Sequence, residues 1–335
     1  MCVRARFKQT HRHGQSGSAF LSGGITFSAN SAFQGGGFYD DGVSPLGSAV
    51  SMDNVSFIGN VARDSGGGIF LYGRSYELSH LLFKDNSCQR VGGGASFEAG
   101  SRVSMSSIEF TGNKAVTNGG AVYANGDNTI LDIDSTTFDA NSALNEGGGM
   151  YLFGKAEAVL VETSLVACRA SRAGGGISQR DTSTLTLKND VKIRGCGALN
   201  GMGGGVMAAG AILILNAAPN KPIVMEDNQA RKGGAVAFMA LVHNQNLSAV
   251  FIRGNRASEN GGGIYGFSNL AELILDQASS LVVESNAAGQ DGGGIAVAEG
   301  ALLSVSFPAC AADCAGAMRG NGICDLQCMT AGCNW

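Results

Sequence analysis

One phrase recurs ten times along the chain, and its period limits what the chain can fold into. An aromatic or aliphatic residue, two further residues and an asparagine make FSAN ending at Asn30, FIGN at Asn60, FKDN at Asn86, FTGN at Asn113 and FDAN at Asn141. The series continues as LVAC at Cys168, IRGC at Cys196, MEDN at Asn228, IRGN at Asn255 and VESN at Asn286. Successive anchors lie 30, 26, 27, 28, 27, 28, 32, 27 and 31 residues apart, and a glycine cluster follows each by five to seven residues. Self-similarity at a fixed period of this size is the mark of a solenoid or array.

Between each glycine cluster and the next anchor the chain alternates apolar and polar residues, as in RVSMSSIEF ending at Phe110 and TLTLKNDVKI ending at Ile193. Period-two spacing with β-branched and aromatic residues predicts strands, and no segment sustains a helical period. Units of roughly 28 residues built only from strands and turns fit an all-β parallel β-helix better than repeats that require helices. One unit is then one coil. At the strand spacing of about 4.8 Å, ten coils form a rod of roughly 45 Å.

That geometry gives each letter of the phrase a role. The phenylalanine points inward and stacks on its counterpart one coil away, burying apolar area that a thin rod could not otherwise hide. The asparagines Asn30, Asn60, Asn86, Asn113, Asn141, Asn228, Asn255 and Asn286 are expected to form a turn ladder, tolerating left-handed backbone angles and bonding amide to amide. The glycines allow positive φ and close backbone approach at a second corner. A phosphate cradle would need a helix behind the glycines, and in the triphosphatase version Gly-Lys-Ser/Thr; strands follow here and no such tripeptide occurs.

Composition agrees with a folded chain. Glycine supplies 52 of 335 residues and proline only 4, while 44% of residues are hydrophobic and 15% charged. A net charge of −4 without basic blocks argues against nucleic-acid binding, which needs a concentrated basic surface. The one basic cluster, residues 3 to 13, lacks the apolar stretch of a secretory signal, and no run of about 18 apolar residues predicts a membrane span. Five of nine cysteines fall in the last 26 residues, the density of a secreted disulfide module or a metal site. That crowding points to an extracellular or cell-surface protein whose natural start precedes Met1.

The paired F-x-x-N and G-G-A/G-I phrases resemble the repeats of the chlamydial polymorphic membrane proteins. The resemblance covers residues 27 to about 307 and implies a right-handed, pectin-lyase-like β-helix with a surface role in adhesion. The β-barrel that anchors those proteins has no counterpart in these 335 residues. The tail CAADCAGAMRGNGICDLQCMTAGCNW resembles the Notch-type LNR module, a small calcium-binding unit of six cysteines. That resemblance implies pairing of Cys310 with Cys333 and of Cys314 with Cys328, and leaves Cys324 alone. It also assigns Asn321 and Asp325 as calcium ligands of an incomplete site, because Met318 stands where the family offers an oxygen and a hard cation needs 6 to 8 oxygens. No other cofactor is expected. A zinc site is the alternative, but the C-x3-C and C-x4-C spacings fit the usual knuckle poorly.

Two neighbouring coils replace the turn asparagine by cysteine, at Cys168 and Cys196. Stacked one coil apart, these could bridge or remain buried thiols, and the spacing allows both. Cys2 and Cys88 have no evident partner. Three regions are therefore expected: a basic segment at 1–20, the β-helix at 21–307 and a truncated LNR-like module at 308–335, together a fragment of a longer extracellular protein.

Polysaccharide-active enzymes also use the parallel β-helix, and their chemistry needs convergent carboxylates with a histidine or arginine. Asp40 with Asp41, and Asp132 with Asp134, are paired carboxylates, but no G-H-G accompanies them, and His11, His13, His80 and His243 lie apart. No catalytic residue is assigned. Sequons at Asn54 and Asn246 offer glycan acceptors. The sequence thus favours a non-enzymatic surface or secreted scaffold that binds glycans or proteins, with a polysaccharide lyase or glycoside hydrolase as the alternative.

Overall fold

The structure, a computed structural model, describes residues 19–42, 49–244, 249–275 and 280–305. Of the expected terminal regions, residues 1–18 of the basic segment and the whole cysteine tail lie outside the described residues, while the first strand, Ala19–Ser28, already takes in the last two residues of the expected segment. Those described form a parallel β-solenoid of about ten turns, in which every strand pairing is parallel and no helix occurs.

One coil illustrates the rest. Leu82–Lys84 carries the anchor phenylalanine, Ser87–Cys88 is a two-residue strand, Ala95–Glu98 follows the glycine triplet, and Arg102–Ser106 completes the circuit. Each strand lies in register on its counterpart one coil on: Phe83 on Phe110, Cys88 on Ala115, Ala95 on Val122 and Met105 on Ile133. The anchor, post-glycine and fourth strands join into a 27-stranded sheet, while the two-residue strands make a separate 10-stranded one. The alternation anticipated in the sequence is visible in Arg102–Ser106, where Val103 and Met105 are buried and the residues between them are not.

The core runs the length of the rod. Phe27, Phe57, Phe83, Phe110 and Phe138 stack face to face at 5.1, 5.0, 4.6 and 5.0 Å between centroids. Burying each ring contributes about 1.5–3 kcal/mol by area, with stacking adding about 0.5–1.5 kcal/mol. Leu165 and Ile193 extend the column after Phe138, at the same two coils where cysteine replaces asparagine.

The anchor corner departs from expectation in one respect. The left-handed residue is not the asparagine but the one before it: Ala29, Gly59, Asp85, Gly112, Ala140, Ala167, Gly195, Asp227, Gly254 and Ser285 all have φ between 51° and 67°. The asparagine then turns its amide inward. Asn60, Asn86, Asn113, Asn141, Asn228 and Asn255 are fully buried. Asn86 shows the bonding: its backbone N–H and Nδ2 donate to Asn113 Oδ1 at 3.1 and 3.0 Å, and Nδ2 also donates to the Phe57 carbonyl at 2.8 Å. A polar amide so placed satisfies a buried backbone carbonyl below and is satisfied from above, which is what burial of polar groups requires.

The glycine triplet uses each member differently. Gly66 has φ +68, a conformation that L side chains rarely adopt. Gly67 lies against the carbonyls of Gly93 and Ser87 in the next coil, leaving no room for a Cβ. Gly68 covers the edge of Phe83, and its equivalents at 121 and 235 are alanines, both fully buried.

Candidate functional site

The post-glycine strands have two faces. Their first and third residues, such as Ile69 and Leu71, enter the main core, whereas the second and fourth point outward. The outward second residues are nevertheless covered: Phe70 is 3% exposed, Tyr151 7% and Tyr265 3%. The covering comes from the chain just before each glycine triplet, which runs alongside and forms bridges from Ser65 through Val91, Asn118, Glu146 and Ala173 to Met202. A second, smaller core of Ala173, Met207, Ala209, Ala237 and Tyr265 fills the space beneath it.

Along this outer row, aromatic rings stack between coils. Tyr39 stacks on Phe70 at 5.3 Å with Tyr72 beside it, and Tyr123 stacks on Tyr151 at 5.9 Å with Phe153 beside it. Tyr265 and Phe267 form a third group. Serine interrupts the aromatics in two coils, each time with a charged residue two positions on: Ser96 with Glu98, and Ser178 with Arg180.

The charges differ in how they are matched. Arg180 grips Glu146 with Nε at 2.8 Å and a second nitrogen at 2.6 Å, and Ser178 donates to the same carboxylate at 3.0 Å. Burial works against the Arg180 charge, but the Glu146 hydrogen bond, the Glu146 charge and the nearby Tyr151 and Asp181 together outweigh it and raise the guanidinium's pKa. Arg90 pairs with Asp64 at 2.9 Å, and Lys232 lies 5.0 Å over the Tyr265 ring. Glu98 forms no ion pair among the described residues and accepts one hydrogen bond, from Ser96 Oγ at 3.0 Å. Burial pushes its carboxyl pKa up. The same burial, together with the nearby Glu98 charge, pushes the Tyr123 hydroxyl up to about 12.

The carboxylates singled out in the sequence are placed elsewhere. Asp132 and Asp134 share the outer face of Ile130–Asp134, both exposed. Asp40 pairs with Arg74 at 3.3 Å and accepts from the Tyr76 hydroxyl at 3.2 Å. His80 meets Asp53 at 2.9 Å, and Ser79 donates to the same Asp53 oxygen at 2.7 Å, whereas His243 belongs to a distant coil. Together the histidine and serine hydrogen bonds lower the Asp53 pKa. Among the described residues no group of three His, Cys, Asp or Glu side chains could hold a metal ion.

Cys88, Cys168 and Cys196 are free, buried thiols. Cys168 donates its S–H toward the Phe138 carbonyl and Cys196 toward the Leu165 carbonyl, both at 3.6 Å, the bonds that asparagine Nδ2 makes in other coils. Cys196 in turn receives its place in the ladder from Asn228, whose Oδ1 accepts its backbone N–H at 2.9 Å. Cys2, Cys310, Cys314, Cys324, Cys328, Cys333, Asn321, Asp325, His11, His13 and Asn246 lie outside the described residues; Asn54 is exposed at a left-handed corner.

The aromatic row was missed in the sequence reading. Its signal lay in the residues after the glycines, since GGGIF at 66, GGAVY at 119, GGGMY at 147 and GGGIY at 261 each end in a ring two residues past the triplet.

A family model described as the Chlamydia polymorphic membrane protein repeat matches residues 54–72 and 107–125, each running from an anchor strand through the glycine corner into the aromatic row. Two coils of the chain are thus similar to polymorphic membrane protein repeats. A second family model, the Notch LNR domain, matches residues 307–335. Among curated proteins, the "probable outer membrane protein pmp20" of Chlamydia pneumoniae is 26% identical over 208 residues, which is 59% of this chain and 10% of that protein. The chain therefore spans about a tenth of the length of this relative. No solved structure matches it significantly. No helix among the described residues is long and apolar enough to cross a membrane.

Proposed function

We propose that the chain is part of a non-enzymatic scaffold at the cell surface or in the extracellular space, and that it binds surface glycans or proteins along the outward row of its post-glycine strands. The polymorphic membrane protein repeats and the outer-membrane relative support the location. The observation that carries the binding role is the row itself. Tyr39, Tyr72 and Phe153 are 48%, 43% and 37% exposed on the outward face, Tyr72 and Phe153 at the same strand position and Tyr39 in register with Phe70, beside fixed charge pairs. Exposed rings next to oriented polar groups are the usual furniture of recognition surfaces, whereas a purely structural face would end in small or polar residues.

The test is binding of the full-length chain to immobilised cell-surface glycans and to intact cells, compared with Tyr72→Ser/Phe153→Ser. Saturable binding that the double variant lowers at least about tenfold supports the proposal. Equal binding by both proteins overturns the assignment to this face. The same preparations, incubated with acidic polysaccharides, examine the enzymatic alternative: release of reducing or unsaturated ends would establish it.

A further inference from the structure

The narrow sheet of two-residue strands has a charge of its own. In each strand one small residue is buried, such as Ala115, Ala143 or Ala170, and the residues on either side of it point outward. Along the ten strands these outward positions hold five cations, Arg63, Lys114, Arg169, Arg231 and Arg256, and no carboxylate, in a chain whose net charge is −4. Residues 112–117, 140–145, 167–172 and 195–200, which make the sheet and its margins in four successive coils, contain no aspartate or glutamate.

The charges there are unmatched. Lys114 is exposed and has no ion-pair partner among the described residues. Arg169 lies over Gly197 and donates to the carbonyls of Cys168 and Gly195, which fixes the guanidinium without neutralising it. Arg231 shares Glu259 with Lys232, at 3.4 and 3.7 Å, so that group keeps one positive charge.

The strip also has a period. Coils that present a cation alternate with coils that present an aliphatic side chain: Lys114, then Leu144, Arg169, Leu199 and Arg231. Leu144 and Leu199 are 65% and 60% exposed. With coils about 4.8 Å apart, like groups recur at about 9.6 Å along a strip one short strand wide. Such a file matches a ligand that is itself linear, anionic at every second unit and apolar at the units between. Nucleic acid carries a phosphate at every unit and calls for a broader basic surface. A pyranose in a linear glycan advances by close to one coil spacing. Where uronate and N-acetylated sugar alternate, each carboxylate can meet a cation while each acetyl methyl meets a leucine.

We infer that the narrow sheet, from Lys114 to Arg231, binds a linear acidic polysaccharide in which a uronate alternates with an N-acetylated sugar. The site belongs to a different sheet from the aromatic row and stands independently of it.

The experiment titrates the full-length chain with a hyaluronan oligosaccharide by isothermal calorimetry. A chitin oligomer, acetylated but without acid, polygalacturonate, acidic at every sugar, and polyglutamate serve as controls. Saturable binding that weakens as salt is raised is expected, with each control at least about tenfold weaker. Lys114→Gln/Arg231→Gln should lose at least about tenfold and Leu144→Ser about threefold, with circular dichroism showing that both proteins fold. Tyr72→Ser/Phe153→Ser should bind as the wild type does. Absence of saturation, an unaffected Lys114→Gln/Arg231→Gln, or loss of binding in Tyr72→Ser/Phe153→Ser would each overturn the inference. So would equal binding of any control, and with polyglutamate it would assign the strip to an acidic protein instead.

Discussion

At the scale of single residues, the inward-turned asparagine is the most exacting part of the repeat. Asn113 Oδ1 accepts two donors from Asn86, and its Nδ2 donates to the Phe83 carbonyl at 2.9 Å and to Asn141 Oδ1 at 3.0 Å. Asn113→Ala strands these buried groups together, and chemical denaturation should show a loss of about 3 kcal/mol. The two cysteines survive in the same column because an S–H can donate to the carbonyl below while the sulfur accepts from the neighbouring amide. Bridging them would remove both S–H donors, so mass measurement after unfolding and alkylation should find Cys168 and Cys196 labelled. Glu98 supplies a pH dependence. Its folded pKa is raised by burial, so the folded state binds a proton more readily than the unfolded chain does. Stability from this group therefore falls as pH rises from the unfolded carboxylate range through the folded value. Glu98→Gln should abolish that fall and leave the protein more stable at neutral pH, as thermal melts at pH 4 and pH 7 would show.

At the scale of the strand and its corner, the triplet is three different requirements written with one letter. Gly67 has carbonyls from a strand and from the glycine corner of the next coil where a Cβ would stand, and backbone cannot yield as a side chain tip can. Gly68 meets a ring edge and one carbonyl, a site where alanine is accommodated at 121 and 235. Gly67→Ala should therefore cost several kcal/mol, about 3 or more, and Gly68→Ala distinctly less, measured by urea denaturation on the same preparation. The sequence showed that glycines mark a corner. It did not distinguish the three, because their difference lies in the neighbouring coil.

At the scale of the whole molecule, each coil touches only its neighbours, so stability accumulates along the axis and is lowest where a neighbour is thin. In Ser280–Glu284 no side chain is fully buried, whereas Phe57, Phe83, Phe110 and Phe138 are wholly enclosed. Amide exchange should accordingly be fastest in residues 280–305 and slowest between about residues 83 and 193. Uniform protection along the rod would contradict this nearest-neighbour picture.

The sequence by itself determined the solenoid, its period and its inward column. Recurrence at a near-constant interval and period-two alternation are properties of the chain alone, and stacking is the one way for such a unit to bury its apolar side. The anchor corner was legible only in part. The phrase marked Asn60 and its relatives as special, but the left-handed angle belongs to Gly59 and its relatives, since the asparagine side chain must turn inward to reach the carbonyl of the coil below. The candidate site was decided by tertiary structure. Tyr72 and Phe153 lie in separate coils, far apart in the chain, and nothing local distinguishes them from other strand aromatics. Only the stacking of coils brings them onto one face, because parallel register converts distance along the chain into contact along the axis.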